Sequence, residues 1–231
     1  MGIEQNIEEI RKRMAAACAR SDRRAEEVAL VAVSKTKPAE MIEAAAAAGQ
    51  TLFGESYVQE FTAKQEEVRS AVTWHFIGGL QGNKVKYLRG RVSMIHSVDR
   101  LSLAQEIDRQ WGILGEPLDI LLQANIGGET SKSGTSSDEE LFRLAREVST
   151  LPNLRVRGLM TLPPYEEDPE QVRPYFRRLR ELAEEIETLA LPGVEMRELS
   201  MGMSHDFEVA IEEGATLVRV GSAIFGEREK K

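Results

Sequence analysis

Eight short apolar runs, rich in β-branched residues, recur along this chain, and helical stretches separate them. The runs are LVAVS (30–34), TLFG (51–54), TWHFI (73–77), VSMIHS (92–97), LDILLQAN (118–125), RVRGLMT (155–161), MRELS (196–200) and TLVRVG (216–221). Strand followed by helix, repeated, implies a parallel sheet, because parallel neighbours need a crossover of a dozen or more residues. Eight such units are the number at which the sheet closes into a (β/α)8 TIM barrel. The alternation leaves a doubly wound open sheet as the alternative. Several helix ends are readable. Pro38 suits a first helical position and Gly49 a terminating one, around EMIEAAAAA. Ser137 with Glu140 reads as a capping box, as does Ser56 with Gln59. Ser204 can cap DFEVAIEE, closed by Gly214. Val172, Phe176, Leu179, Ala183, Ile186 and Leu189 share one helical stripe. An extra N-terminal helix, MGIEQNIEEIRKR, precedes the alternation. No shift in composition marks a linker, so residues 1–231 are expected to form a single barrel domain.

A formal net charge of −8 argues against a general binder of nucleic acid or anionic membrane. The N-terminal segment lacks the apolar core of a signal peptide, and no stretch is long enough to span a bilayer, so a cytoplasmic protein is expected. Cys18 is the single cysteine and lies on a stripe with Ile3, Ile7, Ile10 and Met14, which makes it a packing residue. The three histidines, His75, His96 and His205, show no metal-binding spacing, and no metal is expected. His75, in a strand, reads as a hydrogen-bonded core residue and His205 as a surface one.

A barrel of this kind places chemistry at the C-terminal ends of its strands. Those ends carry Lys35, Glu55 with Ser56, Gly78 with Gly79, His96 with Ser97, Asn125, Thr161, Ser200, and Gly221 with Ser222. Lys35 either points into water where the first strand stops or presents an amine at the mouth of a pocket; the stretch alone leaves both open. In TLVRVGSAIFG, alternation puts Val218 and Val220 on one face and Leu217, Arg219 and Gly221 on the other. With the valines packed outward, Arg219 lies inside the barrel and needs a partner; the reverse parity would have it bridge two outer helices. Gly221 and Ser222, with LSMGMS at the seventh strand, offer backbone N–H groups to an anion, and barrels often hold phosphate between those two loops. An amine, an interior arginine and a phosphate cradle together match pyridoxal 5′-phosphate. Arginine at the pyridine nitrogen would not protonate it, which makes the ring a weaker electron sink than an aspartate would.

The motifs VAVSKTKP, FGESYVQE, WHFIGGLQGNK, NIGGETSKSG, GLMTLPPY, LSMGMSHDFEVAI and VRVGSAIFGER, in this order, resemble the pyridoxal phosphate homeostasis proteins. These are single-domain relatives of the alanine racemase barrel. The resemblance covers nearly the whole chain. It implies a fold-type III cofactor barrel with Lys35 as the Schiff-base lysine and Arg219 at the ring nitrogen. It also implies phosphate held around Ser200, Gly221 and Ser222, with Met160 and the segment after the second strand lining the site. The resemblance also implies an association with vitamin B6 supply and amino-acid balance and no established reaction, so no catalytic residue is expected. The chain departs from the family's FGENY at Ser56, which puts a ligand contact there in doubt. The 127–134 loop reads equally as a lid or an ordinary loop, and nothing fixes the direction of Lys132. The function expected is storage and delivery of the cofactor to apo-enzymes by a monomer, without nucleic-acid or membrane partners. An amino-acid racemase-like enzyme and a class I aldolase are the alternatives. The chain ends soon after the eighth strand, so the further domain that supplies alanine racemase with a second acid/base is expected to be missing.

Overall fold

The computed structural model describes residues 2–128 and 133–227. Each of the eight apolar runs is a strand: β1 (Ala29–Val33), β2 (Leu52–Glu55), β3 (Thr73–Phe76), β4 (Met94–Val98), β5 (Leu118–Gln123), β6 (Leu154–Met160), β7 (Val194–Ser200) and β8 (Leu217–Val220). All neighbours are parallel and follow chain order, and β1 pairs with β8, Val31 opposite Arg219. That pairing closes the barrel and removes the open-sheet alternative. The helices are α1 (Ile3–Arg20), α2 (Ala39–Ala47), α3 (Val58–Glu67), α4 (Leu101–Gly112), α5 (Asp138–Val148), α6 (Arg173–Glu187), α7 (Phe207–Glu212) and α8 (Ser222–Phe225). The crossover after β3 is a 3-10 segment, Gly82–Tyr87, rather than an α-helix.

Alternation along each strand separates two cores. Val31, Met94, Leu121, Met160 and Leu217 pack together inside the barrel. Leu30, Ala32, Phe53, Ile95, Val218 and Val220 belong to the larger cluster between strands and helices. β8 therefore has the parity in which Arg219 faces inward. α1 packs on α7, α8 and α2, through a stripe of buried Ile7, Ile10, Met14, Ala17 and Cys18. It covers the flank that the four-residue α8 is too short to cover.

Several helix ends differ from the sequence reading. Pro38 stands at the N-cap of α2, just outside the helix. Ser137 accepts from the Glu140 amide at 3.2 Å, but the Glu140 carboxylate turns to Ser136 instead of closing the box. Tyr57, not Ser56, is the N-cap of α3. Asp206, not Ser204, occupies the N-cap of α7, and its carboxylate turns back to accept from the Met203 amide at 2.6 Å instead of capping the helix. Among the described residues, no helix is long and apolar enough to cross a membrane.

Candidate functional site

The C-terminal mouth of the barrel holds a cavity of about 610 Å³. β1 and the turn after it contribute Val33, Lys35 and Lys37, and β8 with the start of α8 contributes Arg219, Gly221 and Ser222. Ser56, Gly78, Gln123, Leu162 and Ser204 complete much of the wall from the other strand ends. Tyr57 and Tyr165 stand at the rim, 52% and 72% exposed. They follow β2 and β6, which lie opposite one another in an eight-stranded barrel. At Gly78 the backbone passes so close to β2 that a Cβ would meet the Ser56 carbonyl oxygen at 2.1 Å, so only glycine fits this wall.

Lys35 is half-buried, in a tight turn closed by the Lys37 amide donating to the Ser34 carbonyl at 3.0 Å. The next residue, Thr36, has φ +65°. A β-branched residue in that left-handed region costs about 1–2 kcal/mol. Behind the turn, Lys64 is buried and donates to the Ser34 carbonyl and to Glu55 Oε1, both at 2.6 Å. Glu60 accepts from both Lys64 and the Thr36 amide. Burial pushes the Glu55 carboxyl up, against the pull of Lys64. Lys37 also lines the cavity, with its Nζ donating to the Glu227 carbonyl at 2.9 Å.

Arg219 reaches from β8 across β7 to the end of β6. It donates to Ser200 Oγ at 2.6 Å and to the Thr161 carbonyl at 2.8 Å. Ser200 Oγ meets His96 Nδ1 at 2.9 Å, and His96 Nε2 meets His75 Nδ1 at 2.9 Å. Ser200 Oγ accepts from Arg219 and keeps both its proton and a second lone pair for His96 Nδ1, so the direction of the Ser200–His96–His75 chain follows the His96 tautomer. Burial pushes His75 down to about 4 and His96 well below the usual value, with His75 and then Arg219 adding to the effect on His96. Arg219 itself is pushed down to about 10 by burial, with Asp206 pulling the other way. The interior therefore carries one arginine charge and two neutral imidazoles at neutral pH.

Beside Arg219, the amides of Gly221 and Ala223 converge on Ser204 Oγ at 3.3 and 3.4 Å. Both distances are long for a hydrogen bond, and two N–H groups aimed at one oxygen form a small anion-accepting concavity. A side chain at position 221 would also press on β1, its Cβ 3.2 Å from the Val33 carbonyl oxygen.

Lys35, Arg219, Gly221 and Ser222 thus line one cavity. Ser200 lies beneath it, its hydroxyl engaged by Arg219 and His96, and Met160 packs in the apolar barrel interior. Neither is part of the cavity wall. Ser56, doubtful as a contact on sequence grounds, does line it, and so does His205, which stacks on Tyr165 at 5.4 Å. Lys132 and the centre of the 127–134 loop lie outside the described residues; Ser133 reaches the cavity wall. Ser204 was legible only as a helix cap, although its place in LSMGMS beside the eighth-strand glycine was a usable signal. The pairing of His75 with His96 and the Glu55–Glu60–Lys64 cluster carry no local motif. A small ligand with an anion at one end and an electrophilic carbon at the other would meet amides and amine together.

The sequence model of the alanine racemase N-terminal domain matches residues 3–229. The pyridoxal phosphate homeostasis protein of Aquifex aeolicus is 48% identical over 99% of this chain and 100% of its own. Among solved structures, a protein of unknown function from Bifidobacterium adolescentis superposes with a TM-score of 0.90 at 37% identity, covering 96% of this chain and 94% of its own. PipY of Synechococcus elongatus, solved with pyridoxal phosphate bound, gives 0.81 at 37% identity, covering 94% of this chain and 100% of that one.

Proposed function

The chain belongs to the family of pyridoxal phosphate homeostasis proteins, and from that premise we propose that it binds pyridoxal 5′-phosphate on Lys35 and holds it for delivery to other proteins. The observation that carries this reading is that Lys35, Arg219 and Gly221 line one cavity, with the amides of Gly221 and Ala223 paired on Ser204 Oγ at its wall. They fit the cofactor's own chemistry. The amine can condense with its aldehyde, losing water; the amides suit its phosphate; the arginine suits its ring nitrogen. When bound, the cofactor supplies an electron sink. Arg219 keeps its proton at neutral pH, because even a value near 10 leaves it charged. It can therefore donate a hydrogen bond to a ring nitrogen but not hand over a proton. His96 and Ser200 fix its direction from below.

Borohydride reduction of the loaded protein, followed by peptide mapping, tests the assignment. The expected label is on Lys35. A label on Lys37 or Lys132 with Lys35 unmodified overturns it.

A further inference from the structure

The turn that presents Lys35 is gripped from behind on both sides of that residue. Ser34 is held twice: its carbonyl accepts from Lys64 at 2.6 Å and its hydroxyl donates to Glu55 Oε1 at 2.7 Å. Thr36 is held by its amide, which donates to Glu60. Glu60 and Lys64 lie one turn apart on α3, so a single helix face reaches both ends of the grip. Lys35 lines the cavity, and none of Glu55, Glu60 and Lys64 does.

Two unfavourable features meet here. Thr36 holds a backbone conformation that β-branched residues avoid, at φ +65°. Glu55 and Lys64 are removed from water, Glu55 completely, and Glu55 Oε2 is buried without a hydrogen-bond partner. Packing alone would fill this space with apolar side chains at less cost. The feature that a buried charge cluster adds is a set of directed acceptors and donors on the backbone of residues 34–36.

We infer that Glu60 and Lys64, backed by Glu55, are positioning residues that hold this turn in its strained form and so aim the Lys35 amine at a bound aldehyde. The inference rests on the reading of Lys35 as the cofactor's lysine. Replacing Glu60 releases the Thr36 amide, the turn relaxes toward ordinary backbone angles, and the amine leaves its line of attack. Glycine at 36 adopts the left-handed conformation freely, so it makes the grip unnecessary.

The test titrates cofactor-free protein with pyridoxal 5′-phosphate, following the visible absorbance of the covalent adduct and the borohydride-trapped peptide. Glu60→Ala is expected to attach the cofactor at Lys35 roughly tenfold more weakly, equivalent to one decade in the attachment constant. The double variant Glu60→Ala with Thr36→Gly is expected to regain most of that loss, which a merely stabilising role for Glu60 does not explain. Should Glu60→Ala not fold, Glu60→Leu, which keeps the bulk and helix preference but offers the Thr36 amide no acceptor, carries the same comparison. Attachment at wild-type strength in the Glu60 variant, or a loss that Thr36→Gly leaves unchanged, overturns the inference. Failure of the wild-type protein to label at Lys35 overturns the underlying reading instead, so the two failures are separable.

Discussion

Inside the barrel, burial governs which side chains keep a charge. His75 and His96 are held neutral, His75 with a folded value of about 4 against an ordinary 6.5. Between those two pH values the unfolded chain binds a proton at position 75 that the folded chain refuses. Stability must therefore fall as pH drops through that window, by up to about 1.4 kcal/mol per pH unit for one such group. Glu55 and Asp206, whose carboxyls burial pushes up, act in the opposite direction at the acid end of the window. The contribution of His75 is isolated by comparison with His75→Gln, whose amide can still pair with His96 in either direction but does not titrate. Urea unfolding measured from pH 7 to pH 4.5 should show a shallower pH slope in the variant; parallel slopes would refute a neutral, buried His75. These two histidines also mark how far single residues were legible. Alternation along one strand left Arg219 two faces; the interior one follows once Val218 and Val220 pack outward, and the structure has that parity. The His75–His96 pair depends on two strands meeting 21 residues apart, and no spacing rule records that. Thr36 was hidden for a different reason: its local sequence gives no sign of a left-handed turn, which α3 imposes from outside.

The elements were easier to read than their junctions, since a strand or helix is set by its own periodicity and a cap by which neighbour arrives. All eight strands were visible as apolar runs. The 3-10 crossover after β3 was not, although WHFIGGLQGNK has too many glycines to sustain a helix. Nor was the division of labour between α1 and α8. The eighth helix of this barrel has four residues, and α1 covers the flank that it leaves. Asn6 Nδ2 donates to the Ile224 carbonyl at 2.9 Å, tying α1 to the segment that borders the cavity. Arg13 and Arg20 pair with Glu208 and Glu212 on α7, but these pairs are only partly buried, and ion pairs still open to water contribute modestly. Apolar burial therefore carries the attachment of α1. Ile10→Ala should lower the unfolding free energy by about 2–5 kcal/mol, as expected for emptying a fully buried site. Chemical denaturation checks this, and a loss under about 1 kcal/mol would mean that α1 is docked by its charges instead.

At the scale of the whole molecule the open question is whether a barrel shared with racemases retains their chemistry. Two features of this chain weigh against it. Removing an α-proton from an amino acid is easier when the ring nitrogen is protonated, and the partner proposed for that nitrogen, a guanidinium that keeps its own proton, leaves the ring a weaker electron sink. The step also needs an acid or base on the face opposite Lys35. Tyr57, Tyr165 and His205 are the candidates among the described cavity residues, and all three are exposed at the rim, where water competes for every proton. The same open rim that hinders such chemistry favours release. Tyr57 and Tyr165 follow opposite strands and are both exposed, so under the proposed reading a cofactor on Lys35 would be accessible to another protein. The expected behaviour is α-proton exchange at background rate for a panel of amino acids in deuterated water, alongside measurable transfer of cofactor to an apo-enzyme. Both are run on the same loaded preparation, with Lys35→Ala as the control that loses transfer. Exchange that is fast and abolished by Lys35→Ala, without any transfer, would make the protein an enzyme and refute delivery as its role.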